Sequence, residues 1–505
     1  MKKPTLKIQH GWVLIAALAV LNARSRAQVV DHTSASSKDA VVHIVVHDDR
    51  GPLPSIPATI FGSFLEPIDR STYGGIWAEL LENGSLEGGL WSAGNIAAMV
   101  RERPELVRGS QLGLPLPWEP LVSSQGNRYE PRWGDAANSS RSLEIMALPS
   151  GETGIRQRVY LPVHRTLEYA GSLWIKHLSG STGVSVSVRK RDSNGGIVAE
   201  ARLDAPNPAW ARYDFLLKLN PGELHPLEPA DFVISLTNDG RALVDQASLM
   251  PADNVDGMDP EMLQMARDLK PSIVRFGGNF TSGYHWRDGI GPRDKRVSEL
   301  NLAWGIPEYN TFGTDEFLRF CELIHAEPQI ALNLGTGTPE EAADWVKYVD
   351  EHWADQRGGL LWELGNELWG DWNTGYPTQE EIGDRTRAFS EAIRKVDPNS
   401  RLIATGQDPD HFQAWNAVQL ANPPGTFNYL STHFVVTTDA VQFQNPSNDF
   451  IAQAAFALPV QLGRQLDKMT EQIQQSGHHE TKIAFTEWLF VANRQMGGPV
   501  PAPAS

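Results

Sequence analysis

The chain has 505 residues, 41% of them hydrophobic, which is enough apolar material for more than one domain and excludes global disorder. Its 44 basic and 61 acidic side chains leave a formal charge of −17, which argues against nucleic acid or an anionic membrane as the main partner. The single cysteine, Cys321, excludes an intrachain disulfide and a cysteine-based metal site, and on an apolar helix face it reads as a buried thiol.

The first 27 residues predict a cleaved secretory signal. Lys2, Lys3 and Lys7 precede a short apolar run, Trp12 to Leu21, and Ser25 and Ala27 supply the small residues a signal peptidase reads. The alternative is an uncleaved anchor. Cleavage would make the protein secreted or periplasmic, with no membrane contact afterwards. Residues 28–56 then hold an N-terminal strand, VVHIVV, and a Pro-rich linker. ATIFGSFLE, residues 58–66, reads as the first strand of a second unit that occupies 57–95, followed by a helix-like IWAELLENG.

Residues 96–254 change texture to period 2. Val184, Val186 and Val188 alternate with serines, and short runs such as SLWIK and DFVISL are separated by turn residues, which predicts a β-sandwich. From residue 255 to the end helices and strands alternate. In DPEMLQMARDLK, Asp259 is an N-cap, and Met262, Met265, Ala266 and Leu269 are placed on one apolar face. Thr338 and Glu341 make a capping box, and Thr378 with Glu381 opens another helix. The strands are short and apolar, so the sheet is parallel and covered on both faces. ATIFGSFLE, SIVRF, QIALNLG, LLWELGN, RLIATG, NYLSTHF and KIAFTE make seven. The prediction is an α/β fold, a (β/α)8-type barrel with a jelly-roll-like sandwich inserted after its first strand. A doubly wound sheet is the alternative, but no Gly-rich phosphate loop follows the first strand.

Barrel chemistry sits at the C-terminal strand ends. Those ends deliver Glu66, Arg275 with Asn279, Asn333, Asn366 with Glu367, His433 and Glu487. Two carboxylates facing across a pocket are the equipment of glycoside hydrolysis: one protonates the leaving oxygen, the other attacks the anomeric carbon or activates water. No His and Asp cluster at metal-ligand spacing appears, so no metal or cofactor is assigned. Each residue alone has a structural reading, a cap, a loop anchor or a buried histidine; the set at one level of successive strands is what points to a glycosidase. Glu363, four residues before Glu367 and on the opposite strand face from Asn366, reads as structural.

Seven segments in order, IFGSFLEPIDRSTYGGIWAELLENGSLE, VRFGGNFTSGYHWRDGIGPRDKR, EYNTFGTDEFLRFC, NLGTGTPEEAADWVKY, WELGNELWGDW, STHF and FTEW, resemble glycoside hydrolase family 51, the α-L-arabinofuranosidases. The middle region resembles the carbohydrate-binding sandwich some members carry. The resemblance implies a retaining enzyme with Glu367 as acid/base and Glu487 as nucleophile. Glu66 and Asn279 would bind arabinose hydroxyls, Asn366 the 2-hydroxyl, and His433 would line the pocket. Arg275 would keep Glu487 ionised, and Glu367 would need a raised pKa before attack. The implied partner is an arabinose-containing polysaccharide or oligosaccharide; oligomeric state is left open. Alternatives are a retaining endoglucanase or β-xylosidase, or an inactive carbohydrate-binding protein.

Four features depart from the family. VRFGGN lacks the proline the family places before its paired glycines, and Val435 and Val491 stand where aromatics are common. The chain ends 18 residues after Glu487, so an eighth barrel strand and the family's C-terminal sandwich, the expected partner of VVHIVV, are expected to be missing. In the predicted sandwich Trp133, Trp174 and Trp210 are core or sugar platforms, and Asp245 is a weak candidate calcium ligand.

Overall fold

Seven short apolar runs, each followed by helix or loop, assemble into one parallel sheet in a computed structural model of the protein. It describes the strands Val29–Thr33 and His43–His47 and residues 56–493, apart from 69, 123–127, 148, 150, 182, 192–194, 238, 354–359 and 440–446. The expected signal segment and the last twelve residues lie outside the described residues, as does the Val491 side chain.

The chain divides into two units, 1–60 and 61–505. In the first, His43–His47, which overlaps VVHIVV, pairs antiparallel with Val29–Thr33.

The second unit holds the parallel sheet. Its strands are β1 (Ser63–Leu65), β2 (Ile273–Phe276), β3 (Glu327–Ala331), β4 (Leu361–Leu364), β5 (Arg401–Ala404), β6 (Tyr429–Asp439) and β7 (Lys482–Asn493). They neighbour one another in chain order, all parallel. At ~4.8 Å per strand, a flat sheet would hold β2 and β7 about 24 Å apart. Arg275 on β2 nevertheless lies 3.4 Å from Glu487 on β7, so the sheet curls into a nearly closed barrel. ATIFGSFLE is only partly a strand, because Ala58–Phe61 is a 3-10 turn.

Period 2 sorts each strand into two faces. Ile330, Trp362, Leu364, Leu402, Ala404 and Leu430 point outward into the core shared with the helices. Ile273, Leu361 and Ile403 point inward and plug the bottom of the barrel with Tyr429 and Ala484. Two residues further along the same inner face stand Arg275 and Glu363. The interior thus changes from an apolar floor to a charged layer within one step of the pleat.

The helices α1 (Pro260–Leu269), α2 (Thr314–Ile324), α3 (Pro339–His352), α4 (Ile382–Val396), α5 (Phe412–Gln419) and α6 (Asn448–Gln475) alternate with the strands. The capping signals hold at α1 and α3, whereas α4 begins at Ile382 behind Glu381, which makes no side-chain cap and accepts instead from the Thr378 amide. The Asp259 carboxylate accepts from the Glu261 and Met262 amides, and Thr338 accepts from the Glu341 amide. Cys321 is fully buried and burial pushes its thiol up. The apolar face read into α1 is a correction: Met262, Met265 and Leu269 are exposed. The helix packs through Leu263 and Ala266, and Arg267 Nε, 2.8 Å from the Leu323 carbonyl, fixes that rotation.

Residues 96–111, assigned to the start of the sandwich, lie largely in the helices Ala93–Glu102 and Leu106–Gln111, and IWAELLENG is not helical. Two five-stranded antiparallel sheets follow between Glu119 and Pro251, with their own core. Val184, Val186 and Val188 lie in that core. Trp174 faces the barrel side: its Nε1 donates to Asp294 at 2.8 Å, and Lys295 Nζ sits 3.9 Å from its ring centroid.

A two-stranded ribbon, Glu299–Asn301 with Ile306–Glu308, interrupts the barrel after β2. Glu308 is 6% exposed and accepts from the Tyr73 hydroxyl and the Asn310 amide. Burial, against those bonds, pushes its carboxyl from 4.5 to about 7. The folded protein therefore keeps a proton that the unfolded chain loses. This contribution to stability is full below about pH 4.5 and vanishes as pH rises through about 7. At 1.36 kcal/mol per unit the effect is on the order of 3 kcal/mol. Glu308→Gln stays neutral throughout, so its urea-unfolding free energy should fall less between pH 5 and pH 8; an undiminished fall would contradict this account.

Candidate active site

The charged inner layer grows from Arg275. Its guanidinium sends Nε to Glu363 at 2.5 Å, one terminal nitrogen to Asn366 Oδ1 at 2.6 Å and the other to Glu487 at 3.4 Å. Asn366 Nδ2 passes on to Asn279 Oδ1 at 2.9 Å. Burial opposes the Arg275 charge, but Glu363, then Glu487 and Glu66, outweigh it. Glu363 has no exposed surface and also accepts from Gln329 Nε2 at 3.1 Å and the Thr486 hydroxyl at 3.0 Å.

Glu363 and Asn366 both reach Arg275, although three positions apart they belong on opposite faces of a regular strand. The reversal lies at Gly365, φ 87°, where β4 has ended. A Cβ there would meet Leu368 Cδ1 at 2.4 Å. Glu367 itself has φ 42°, a costly left-handed backbone for a side chain of its kind. The Gly370 amide and Asn373 Nδ2 hold its carbonyl at 2.8 and 2.9 Å.

Glu367 Oε1 faces His433 Nδ1 at 2.9 Å, and its Oε2 accepts from Trp372 Nε1 at 3.2 Å. His433 Nδ1 lies 3.8 Å from Glu487 Oε2. One carboxylate oxygen from each of Glu367 and Glu487 and a His433 ring nitrogen fall within 4.8 Å of one another. The Glu367 and Glu487 side chains are both 13% exposed. Glu66 closes the other side, accepting from Trp304 Nε1 at 2.7 Å and the Phe280 amide at 3.4 Å. Gly278 makes room for it, since a Cβ there would lie 2.1 Å from the Glu66 carboxyl carbon. Arg275, Asn279, Asn366, Glu367, His433 and Glu487 thus join one network, and Glu66 stands beside it on its own partners, Trp304 and the Phe280 amide. Asn333 does not join it: it staples its own loop through Gly335, Thr336 and Tyr284. A cavity of about 1260 Å³ is lined elsewhere, by residues such as Trp77, Glu79 and Arg212.

The proton affinities differ from expectation. Burial pushes Glu367 up, but the hydrogen bond and charge of His433 and the Trp372 bond outweigh it, so the carboxyl lies below its usual value. Burial raises Glu487 despite His433 and Arg275. Arg275 is committed first to Glu363 and Asn366 and reaches Glu487 only at 3.4 Å, while His433 stands directly on Glu367. Burial is also the main cause that brings Glu66 to about 7.

The sequence reading missed Thr486, Gln329, Trp304 and Trp372, and gave Glu363 no part in the site. Thr486 precedes Glu487 and on a regular strand would face away from it. The β6–β7 register pairs Thr432 with Phe485 and His433 with Glu487, so Thr486 is the extra residue of a bulge and shares the inner face. As a metal site, Glu367, His433 and Glu487 offer three donors, but Arg275 already serves Glu487 and its positive charge opposes a cation there. Asp245 accepts from the Ala137, Asn138 and Gln246 amides, a donor shell suited to an anion rather than to calcium. Trp210 Nε1 is held by Asp135 at 3.0 Å, and Trp133 is 67% exposed.

Residues 265–439 match the family described as the alpha-L-arabinofuranosidase 1 domain. Alpha-L-arabinofuranosidase C of Emericella nidulans is 40% identical over 205 residues, 38% of this chain and 39% of that protein. An intracellular exo-alpha-(1->5)-L-arabinofuranosidase of Streptomyces lividans is 36% identical over 202 residues, 36% of this chain and 30% of that protein. The chain matches these curated relatives over well under half of their length. A solved arabinose-bound family 51 α-L-arabinofuranosidase superposes with a TM-score of 0.58 at 19% identity, over 76% of this chain and 62% of that one, a likeness of fold.

The Arg275–Glu363 pair makes a stability prediction. Arg275→Met leaves a wholly buried carboxylate without its cation and should destabilise by ~3–5 kcal/mol in urea unfolding. Glu363→Gln, which keeps an acceptor, should cost less than Glu363→Ala. A Met variant as stable as the parent would refute the central place of the pair.

Proposed function

We propose, from the match of residues 265–439 to the alpha-L-arabinofuranosidase 1 domain, that this chain is a retaining glycoside hydrolase that releases arabinofuranose from arabinose-containing polysaccharides or oligosaccharides. The observation that carries the mechanism is the approach of the Glu367 and Glu487 oxygens to within 4.8 Å. An inverting pair needs ~6.5–9.5 Å to seat a water between sugar and base, whereas a direct nucleophile needs only about 5–5.5 Å. Glu487 attacks the anomeric carbon while Glu367 gives its proton to the departing oxygen. Water then displaces Glu487 from the sugar, and Glu367 takes the water's proton. In this reading Asn366, Asn279 and Glu66 bind sugar hydroxyls, and the half-exposed Trp372 offers an aromatic wall.

A carboxyl held low by His433 needs help to act as an acid. A sugar seated over Glu367 removes its remaining water, and that loss of solvation favours the protonated form. Once Glu487 is esterified its negative charge is gone, which favours the Glu367 carboxylate that deglycosylation requires. The N-terminal signal-like segment supports a secreted or periplasmic protein. Trp133, the most exposed tryptophan of the three in the sandwich, supports glycan contact there.

Release of 4-nitrophenol from its α-L-arabinofuranoside tests the activity. Glu487→Ala should lose essentially all turnover, and Glu367→Ala should lose ~10²–10⁴-fold on substrates whose leaving group needs a proton. Azide should restore Glu487→Ala with an inverted glycosyl azide and Glu367→Ala with a retained one. An inactive parent that still binds arabinan would favour a carbohydrate-binding protein, and preference for a xyloside or glucan would favour a β-xylosidase or endoglucanase.

A further inference from the structure

The bulged residue Thr486 stands between two groups whose protons matter. Its hydroxyl oxygen is 3.0 Å from Glu363 Oε1 and 2.9 Å from His433 Nε2. A hydroxyl has one proton to give and lone pairs to receive. Glu363 Oε1 is an acceptor, and its other oxygen already takes Arg275 and Gln329. The Thr486 proton therefore goes to Glu363, and toward His433 the oxygen only accepts. Nε2 must then carry a proton. On the far side of the ring, Nδ1 faces Glu367 Oε1 at 2.9 Å.

We propose that Thr486 is a positioning residue for acid–base catalysis: anchored by Glu363, it fixes a proton on His433 Nε2, so that Nδ1 is the atom that shares a proton with Glu367. The proposal rests on the reading of Glu367 as the acid/base. The shared proton lies either on Glu367, beside a neutral ring, or on Nδ1, beside a carboxylate. Passing between them, it breaks one O–H bond and makes one N–H bond, with no other change. The opposite tautomer, with the proton on Nδ1 and none on Nε2, would only donate to Glu367 and would hold it as a carboxylate. Thr486 removes that tautomer and keeps the acid form within reach. The lowered proton affinity of Glu367 is the expression of the same contact. The other charged groups around the pair are Glu487 from β7, Arg275 from β2, Glu363 from β4 and Glu66 beyond the end of β1.

Nitrogen-15 labelling of the histidines in the full chain reads the tautomer directly, with His433 assigned by its loss in His433→Gln. In the parent the Nε2 signal should be that of a protonated nitrogen. Thr486→Val should let Nε2 lose its proton, and Thr486→Ser should not. In kinetics, Thr486→Val should lose about tenfold more kcat/KM on an alkyl arabinofuranoside, which needs the acid, than on the 4-nitrophenyl compound, which does not. Its basic limb should move to lower pH, and Thr486→Ser should recover both. An unprotonated Nε2 in the parent overturns the proposal, as does an equal loss of Thr486→Val on the two substrates. A parent inactive on both substrates overturns the activity reading instead, and the tautomer measurement still decides the role of Thr486.

Discussion

A guanidinium in the middle of the barrel organises everything above the apolar floor. Arg275 is 2% exposed, and a charge so placed must be paired and hydrogen-bonded or it would unfold its surroundings. Its fixed fork spends Nε on β4, one terminal nitrogen on the turn after β4, and the other on β7. One side chain thus ties strands that the sheet order separates. Were the sheet to open, β7 would swing away and Glu487 would lose its nearest positive charge. The apolar plug of Ile273, Leu361 and Ile403 lies directly beneath and keeps water from solvating the pair from below.

The same layer sets the electrostatics of the mouth. Glu66, Glu363, Glu367 and Glu487 crowd around one arginine and one histidine. Repulsion and burial push protons onto the members with the weakest partners, which is why Glu66 and Glu487 lie high. Glu367, with a ring nitrogen and an indole N–H on its two oxygens, lies low. Two carboxylates with similar burial are pushed apart in proton affinity by the hydrogen-bond partners each one touches. A substrate that fills the space between them changes both at once.

Period and punctuation revealed the barrel, because strands buried on both faces read as apolar runs and their helices begin at readable caps such as Asp259 and Thr338. The level of the site was also readable, since strand ends are marked by the first polar residue after each run. The turns of the backbone were not. Gly365 breaks the alternation that placed Glu363 and Asn366 on opposite faces, and the bulge at Thr486 breaks it again on β7. Both depend on pairing with strands distant in sequence, which no local pattern records. One charge partner was hidden for the same reason: Arg275 was expected beside Glu487, where it stands at 3.4 Å, but its nearer bond to Glu363 was not foreseen. The exposed methionines of α1 show that an apolar stripe alone does not fix which side of a helix turns inward when a polar contact, here Arg267 on Leu323, sets its rotation.

Glu367 sits at φ 42°, a backbone that suits glycine or asparagine better than a glutamate. The fold holds it there with two bonds to its carbonyl and thereby aims the carboxyl at His433. Conformational comfort and chemistry therefore oppose each other at one position. Selection for heat resistance alone would favour a small residue here, and a library screened that way would drift toward robust, well-folded and inert molecules. Any effort to harden this protein has to leave that one uncomfortable residue alone and look for its gains elsewhere.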